Sequence, residues 1–95
     1  MEFKREDCTF TIPDRPNVRQ QMRYFSAAAT VTPELRMERF WAGAVQLIEK
    51  WECEVIPDYK VDIDSLTDPS QATIMIWAGM KVKEHMDNLE DMPKN

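Results

Sequence analysis

The chain is 95 residues long, 43% hydrophobic and 31% charged, with a formal net charge of −5. That bounds it to one domain with one modest core, and a globally acidic chain is a poor vehicle for non-specific nucleic-acid binding. The longest apolar run, Ile74 to Met80, is far short of a membrane span, and the charged start, Met1-Glu2-Phe3-Lys4-Arg5, lacks the apolar core of a signal peptide.

Near the N-terminus, Cys8, Phe10 and Ile12 alternate with Thr9 and Thr11. This predicts a short strand within 3–12, paired in a hairpin with Met1–Arg5 or with a partner chain. Pro13-Asp14-Arg15-Pro16 ends it. Pro16 at a first helical position predicts a helix over 16–29. Its core stripe would be Val18, Met22, Phe25 and Ala29, with Arg15, Arg19 and Arg23 on the opposing face. Thr32 as cap and Pro33 as first residue predict a second helix over 33–52. Its stripe is Met37, Phe40, Trp41, Ala44, Ile48 and Trp51, widened by Val45 and Leu47. Pro57, Asp58, Asp62 and Asp64 make 53–68 an irregular acidic loop. Asp68, Pro69 and Gln71 form a capping-box start for a third helix over 69–90. Met75, Ala78, Gly79, Val82, Met86 and Leu89 line one side of it, extended by Ile74 and Trp77. Pro93-Lys94-Asn95 reads as a frayed end. The predicted fold is mainly α: a single three-helix domain, 1–95, with a short N-terminal strand or hairpin.

Both glycines of the chain lie in a repeated tripeptide, Trp41-Ala42-Gly43 and Trp77-Ala78-Gly79. Each copy starts eight residues after a proline, Pro33 and Pro69. Glycine costs roughly 1 kcal/mol against alanine inside a helix. Placing both there, beside tryptophan, predicts close helix contacts at Gly43 and Gly79. After the tripeptides the two helices diverge, so a close crossing accounts for them better than internal duplication.

No constellation supports catalysis. His85 is the one histidine; it has no Ser or Cys partner at a suggestive spacing and reads as a partly exposed structural residue. Asp62, Asp64 and Asp68 lack the glycine and glutamate of a calcium loop, and zinc would need about four compact ligands. Cys8 and Cys53 form no CxxC motif. Two free thiols are the default reading, with a disulfide between them left open. No catalytic, cofactor or metal residues are assigned. Arg15, Arg19 and Arg23, near Tyr24 and Phe25, are the best nucleic-acid candidates, opposed by the net charge. Three Trp and seven Met either close the core or leave apolar surface beyond what a small core covers. Trp41, Ile48, Trp51, Met75, Trp77 and Met86 are therefore candidate partner-binding residues.

Three stretches resemble the small tail assembly chaperones of long-tailed bacteriophages and prophages: Pro16-Asn17-Val18-Arg19-Gln20-Gln21 followed by Tyr24; Glu38-Arg39-Phe40-Trp41-Ala42-Gly43-Ala44 through Trp51-Glu52-Cys53-Glu54; and Thr67-Asp68-Pro69 through Trp77-Ala78-Gly79 to Leu89-Glu90-Asp91-Met92-Pro93-Lys94-Asn95. The likeness is one of pattern and size and covers most of the chain. It implies a non-enzymatic protein of the bacterial host cytoplasm that binds the tape-measure protein and yields to tail-tube subunits. It also implies a longer frameshifted form; Pro93-Lys94-Asn95 can be encoded by a slippery string. Other readings are a structural head–tail joining or minor tail protein, and a small nucleic-acid-binding regulator. A homo-oligomer is compatible with the sequence; a membrane role is not expected.

Overall fold

The alternating segment around Phe10 is the middle strand of a three-stranded antiparallel sheet in the computed structural model, which describes residues 1–89. The predicted helix end at Glu90 and the Pro93-Lys94-Asn95 terminus lie outside the described residues. Strand β1 (Glu2–Arg5) pairs with β2 (Cys8–Thr11) through a two-residue turn, and β2 pairs with β3 (Lys50–Cys53). Glu6 in that turn takes a φ of 45°, the left-handed backbone a tight hairpin requires. Phe3, Phe10 and Trp51 stand opposite one another across the sheet, with ring centroids 5.0 and 5.7 Å apart. Phe10 is fully buried, and Trp77 meets its ring edge-on at 5.4 Å. This aromatic ladder joins the sheet to the helices.

Strand β3 corrects the predicted second helix. Helix α2 spans only Arg36–Val45. Beyond it the amides of Leu47 and Ile48 bond back to Ala44, and the Glu49 N–H donates to the Thr11 carbonyl, which turns the chain into the sheet. Ile48 and Trp51 fit a helical period, but Lys50-Trp51-Glu52-Cys53 also alternates. Pairing with β2 decides between the two, a tertiary override of local propensity. The start of α2 is also later than predicted. Thr32–Leu35 is a turn closed by the Leu35 N–H on the Thr32 carbonyl, so Pro33 sits in the turn and Leu35 takes the cap position.

The same pairing corrects the free-thiol reading. Cys8 and Cys53 are directly opposed, with Cα atoms 4.1 Å apart, and form a disulfide. In the adjacent pair the Glu54 N–H donates to the Asp7 carbonyl. The cysteines thus occupy a non-hydrogen-bonded pair, where side chains approach most closely.

Helix α1 spans Val18–Ala29, two residues shorter at its start than predicted. Asn17 caps it in a reciprocal capping box with Gln20, which leaves Pro16 outside the helix. Helix α3 spans Pro69–Asn88 behind the Asp68–Gln71 capping box. It buries Ile74, Met75, Ala78, Gly79, Val82 and Met86. His85 is buried as well, against the partly exposed placement read from sequence. Its Nε2–H donates to the Asp14 carbonyl at 2.8 Å and pins α3 to the segment after β2. Asp14 in turn pairs with the Met1 amino group, which holds its carboxyl below the ordinary value.

A Cβ on Gly79 would lie 2.8 Å from the Trp41 backbone nitrogen, so α3 and α2 cross almost backbone to backbone. A Cβ on Gly43 would lie 2.7 Å from the Tyr24 ring, at the crossing of α2 with α1. Among the described residues no helix is long and apolar enough to cross a membrane, and no cluster of three or more His, Cys, Asp or Glu is placed to hold a metal ion.

Candidate partner-binding surface

The residues nominated from sequence for partner contact are mostly core. Trp41, Ile48, Met75 and Met86 are buried, and Trp51 and Trp77 are half-buried against them. Trp51 is further committed by its indole N–H, which donates to the Ile56 carbonyl at 2.6 Å, and by Trp41 and Tyr59, whose rings lie 5.7 and 5.8 Å away. Three tryptophans close this core because Phe10 and the loop around Tyr59 supply surface for them to cover.

The exposed apolar surface lies on the helix whose stripe was assigned to the core. On α1, Val18, Met22 and Phe25 are 71, 64 and 60% exposed, and Ala29 continues the row in the open. Tyr24 is the one fully buried side chain of the helix. At 100° per residue the open row is centred about 145° from the face that carries Gln20, Tyr24, Ala27 and Ala28. The sequence showed one stripe of the right period, and it faces solvent. The nearly opposite face, small except at Gln20 and Tyr24, fits against α2 because Tyr24 packs onto Gly43.

Phe25 carries this row into an open groove of about 730 Å³ between the three helices. Phe40 and Met86 line it, with Ala28 and Pro33 toward one end. Arg36, Arg39 and Lys83 stand at the groove with a single carboxylate, Asp87. The Arg39 Nε–H donates to the Ala28 carbonyl at 3.1 Å, tying α2 to the C-terminal end of α1. Lys83 pairs with Asp87, and its ammonium lies 5.6 Å from the Phe40 ring centroid. Burial pushes the Tyr24 phenol above its ordinary 10.0, and the Asp87 carboxylate adds to the shift, so the hydroxyl stays neutral. The apolar surface continues over α3 through two smaller depressions. Phe40 and Met80 share one, and Met80, Ile76 and Trp77 share the next. Exposed Met80 and Ile76 thus extend the belt away from α1.

Of the arginine row, Arg19 and Arg23 are exposed on α1, while Arg15 precedes the helix. A scan against protein-family models and searches of curated proteins and of solved structures find no match.

Proposed function

We propose that this chain is a non-enzymatic assembly chaperone that holds amphipathic helical segments of a longer protein, the tape-measure protein of a bacteriophage tail, in the host cytoplasm. The observation that carries the reading is the open row Val18, Met22 and Phe25 running into the groove beside Phe40 and Met86. Contiguous apolar surface of this kind on a small domain marks an interaction site. A row at helical spacing next to a groove is the geometry for receiving an amphipathic helix. The resemblance in the stretches around Pro16–Tyr24, Glu38–Glu54 and Thr67–Gly79 supplies the particular partner. Open contacts made largely by Met and aromatic side chains are adaptable, which suits a client that tail-tube subunits must later displace.

Co-expression tests this reading. A tape-measure fragment from the same genome should remain soluble with the chain and precipitate without it. The double variant Met22→Glu/Phe25→Glu should lose that effect while folding normally. A fragment equally insoluble with and without the chain would refute the reading. So would a variant that protects as well as the wild type.

A further inference from the structure

We infer that the groove between α1, α2 and α3 selects helices whose apolar stripe is flanked by acidic side chains. The inference rests on the helix-holding reading above and adds the charge of the client. The chain carries −5 overall, yet its principal groove sets three cations, Arg36, Arg39 and Lys83, against one carboxylate. Arg36 is exposed, and no hydrogen bond or ion pair engages it among the described residues. Arg39 spends one N–H on the Ala28 carbonyl and retains the rest of its guanidinium for a carboxylate. Lys83 is held over Phe40 by Asp87, so its ammonium sits beside the apolar surface an incoming helix would cover.

The three depressions are continuous through shared residues, Phe40 between the first two and Met80 between the second and third. Lys81 and Arg5 stand at the far depression with Glu84, while the middle one sets Lys83 beside Glu84 and Asp87, so the cationic excess lies at the two ends of the path. An apolar floor with a cationic excess in the principal groove and at the far depression complements an amphipathic helix with acidic flanks. A helix of about 20 residues is roughly 30 Å long, within the 43 Å long dimension of the molecule. A basic helix would instead meet like charge in the principal groove, which disfavours it at encounter and in register.

Anisotropy titration of the full chain with labelled peptides tests this. Three designed peptides of about 20 residues suffice: a leucine stripe flanked by Glu, the same stripe flanked by Lys, and a scrambled Glu peptide without the stripe. The Glu peptide should bind about tenfold more tightly than the Lys peptide at low salt, the size expected for two or three exposed ion pairs. The gap should close at high salt, and the scrambled peptide should bind more weakly than either. Arg36→Glu/Lys83→Glu should reverse the preference. Arg36→Glu alone, which breaks no hydrogen bond or ion pair among the described residues, should reduce it if the double variant does not fold. Equal binding of the Glu and Lys peptides, or an unchanged preference in the variants, overturns the charge selection. Binding of the scrambled peptide as tightly as the striped one overturns it too. Capture by anionic lipid vesicles without binding of the striped peptide would assign the surface to membranes and also overturn it. A tape-measure fragment still kept soluble in any of these cases would leave the chaperone reading standing and remove only the charge selection.

Discussion

Gly79→Ala should destabilise the domain although alanine is the better helix former. The new Cβ would lie 2.8 Å from the Trp41 nitrogen and 3.0 Å from both the Phe40 carbonyl carbon and Cβ. Comfortable carbon contacts begin near 3.5 Å, and two of these three atoms are backbone. They cannot rotate aside, so α2 must retreat from α3 by roughly half an ångström or more to restore that spacing. The retreat would loosen Ala78 and Val82, both fully buried between the helices. Overpacking costs about 1–3 kcal/mol, here about 2–3 because backbone atoms must move, and helix propensity returns roughly 1 kcal/mol. A net loss of about 1–2 kcal/mol corresponds to about 5–15 °C in Tm for a domain of this size. Gly43→Ala meets the Tyr24 ring instead of backbone. The ring borders the open groove and can yield, so the loss there should be smaller. Thermal and urea unfolding followed by circular dichroism read both variants. A Gly79→Ala protein as stable as the wild type, or less affected than Gly43→Ala, would refute the close-crossing account.

The disulfide closes a separation of 45 residues. Chain entropy gives it about 4 kcal/mol, so Cys8→Ala/Cys53→Ala should lower the urea midpoint, and thiol titration of the unreduced, unfolded wild type should find no free thiol. Asn17→Ala removes the side-chain half of the α1 capping box, the Oδ1 that accepts from the Gln20 N–H, and should cost about 1 kcal/mol by the same unfolding measurement. The Asp68 carboxylate accepts from the Ser70 amide and hydroxyl, which hold its pKa below the ordinary 3.8. A carboxyl depressed in the folded state adds stability above its unfolded pKa and loses it as pH falls through the folded value. Stability should therefore decline below about pH 4, and Asp68→Asn should flatten that decline in a pH series of urea midpoints. Met22→Glu/Phe25→Glu should leave stability within about 0.5 kcal/mol, as exposed positions do.

Capping and turn chemistry made much of the fold legible. Asp68, Pro69 and Gln71 mark the start of α3, and its buried row was readable because both helix face and core use the same period. Cys8 and Phe10 mark the buried face of β2 in the same way, and Ile12 continues it just past the strand. Two features were ambiguous in physical terms. Ile48 and Trp51 satisfy a helical period, while Trp51 and Cys53 alternate with Lys50 and Glu52 as a strand does, and only the distant partners Cys8 and Phe10 decide between the two. On α1, periodicity reveals an apolar stripe but not what it faces. Val18, Met22 and Phe25 form the cleaner row, whereas Tyr24 and the alanines beside it do the packing because Gly43 leaves room for the ring. Sequence therefore points for the partner surface to tryptophans that the core consumes.

The most direct test of the helix-holding surface is residue-resolved. Isotope-labelled chain, titrated with a tape-measure helix peptide and followed by NMR, should show its largest shift changes at Val18, Met22, Phe25, Arg36, Phe40 and Lys83, with the sheet around Thr9 and Glu52 unmoved. Changes concentrated on the sheet or on the loop around Asp62, with the α1 row silent, would contradict the account.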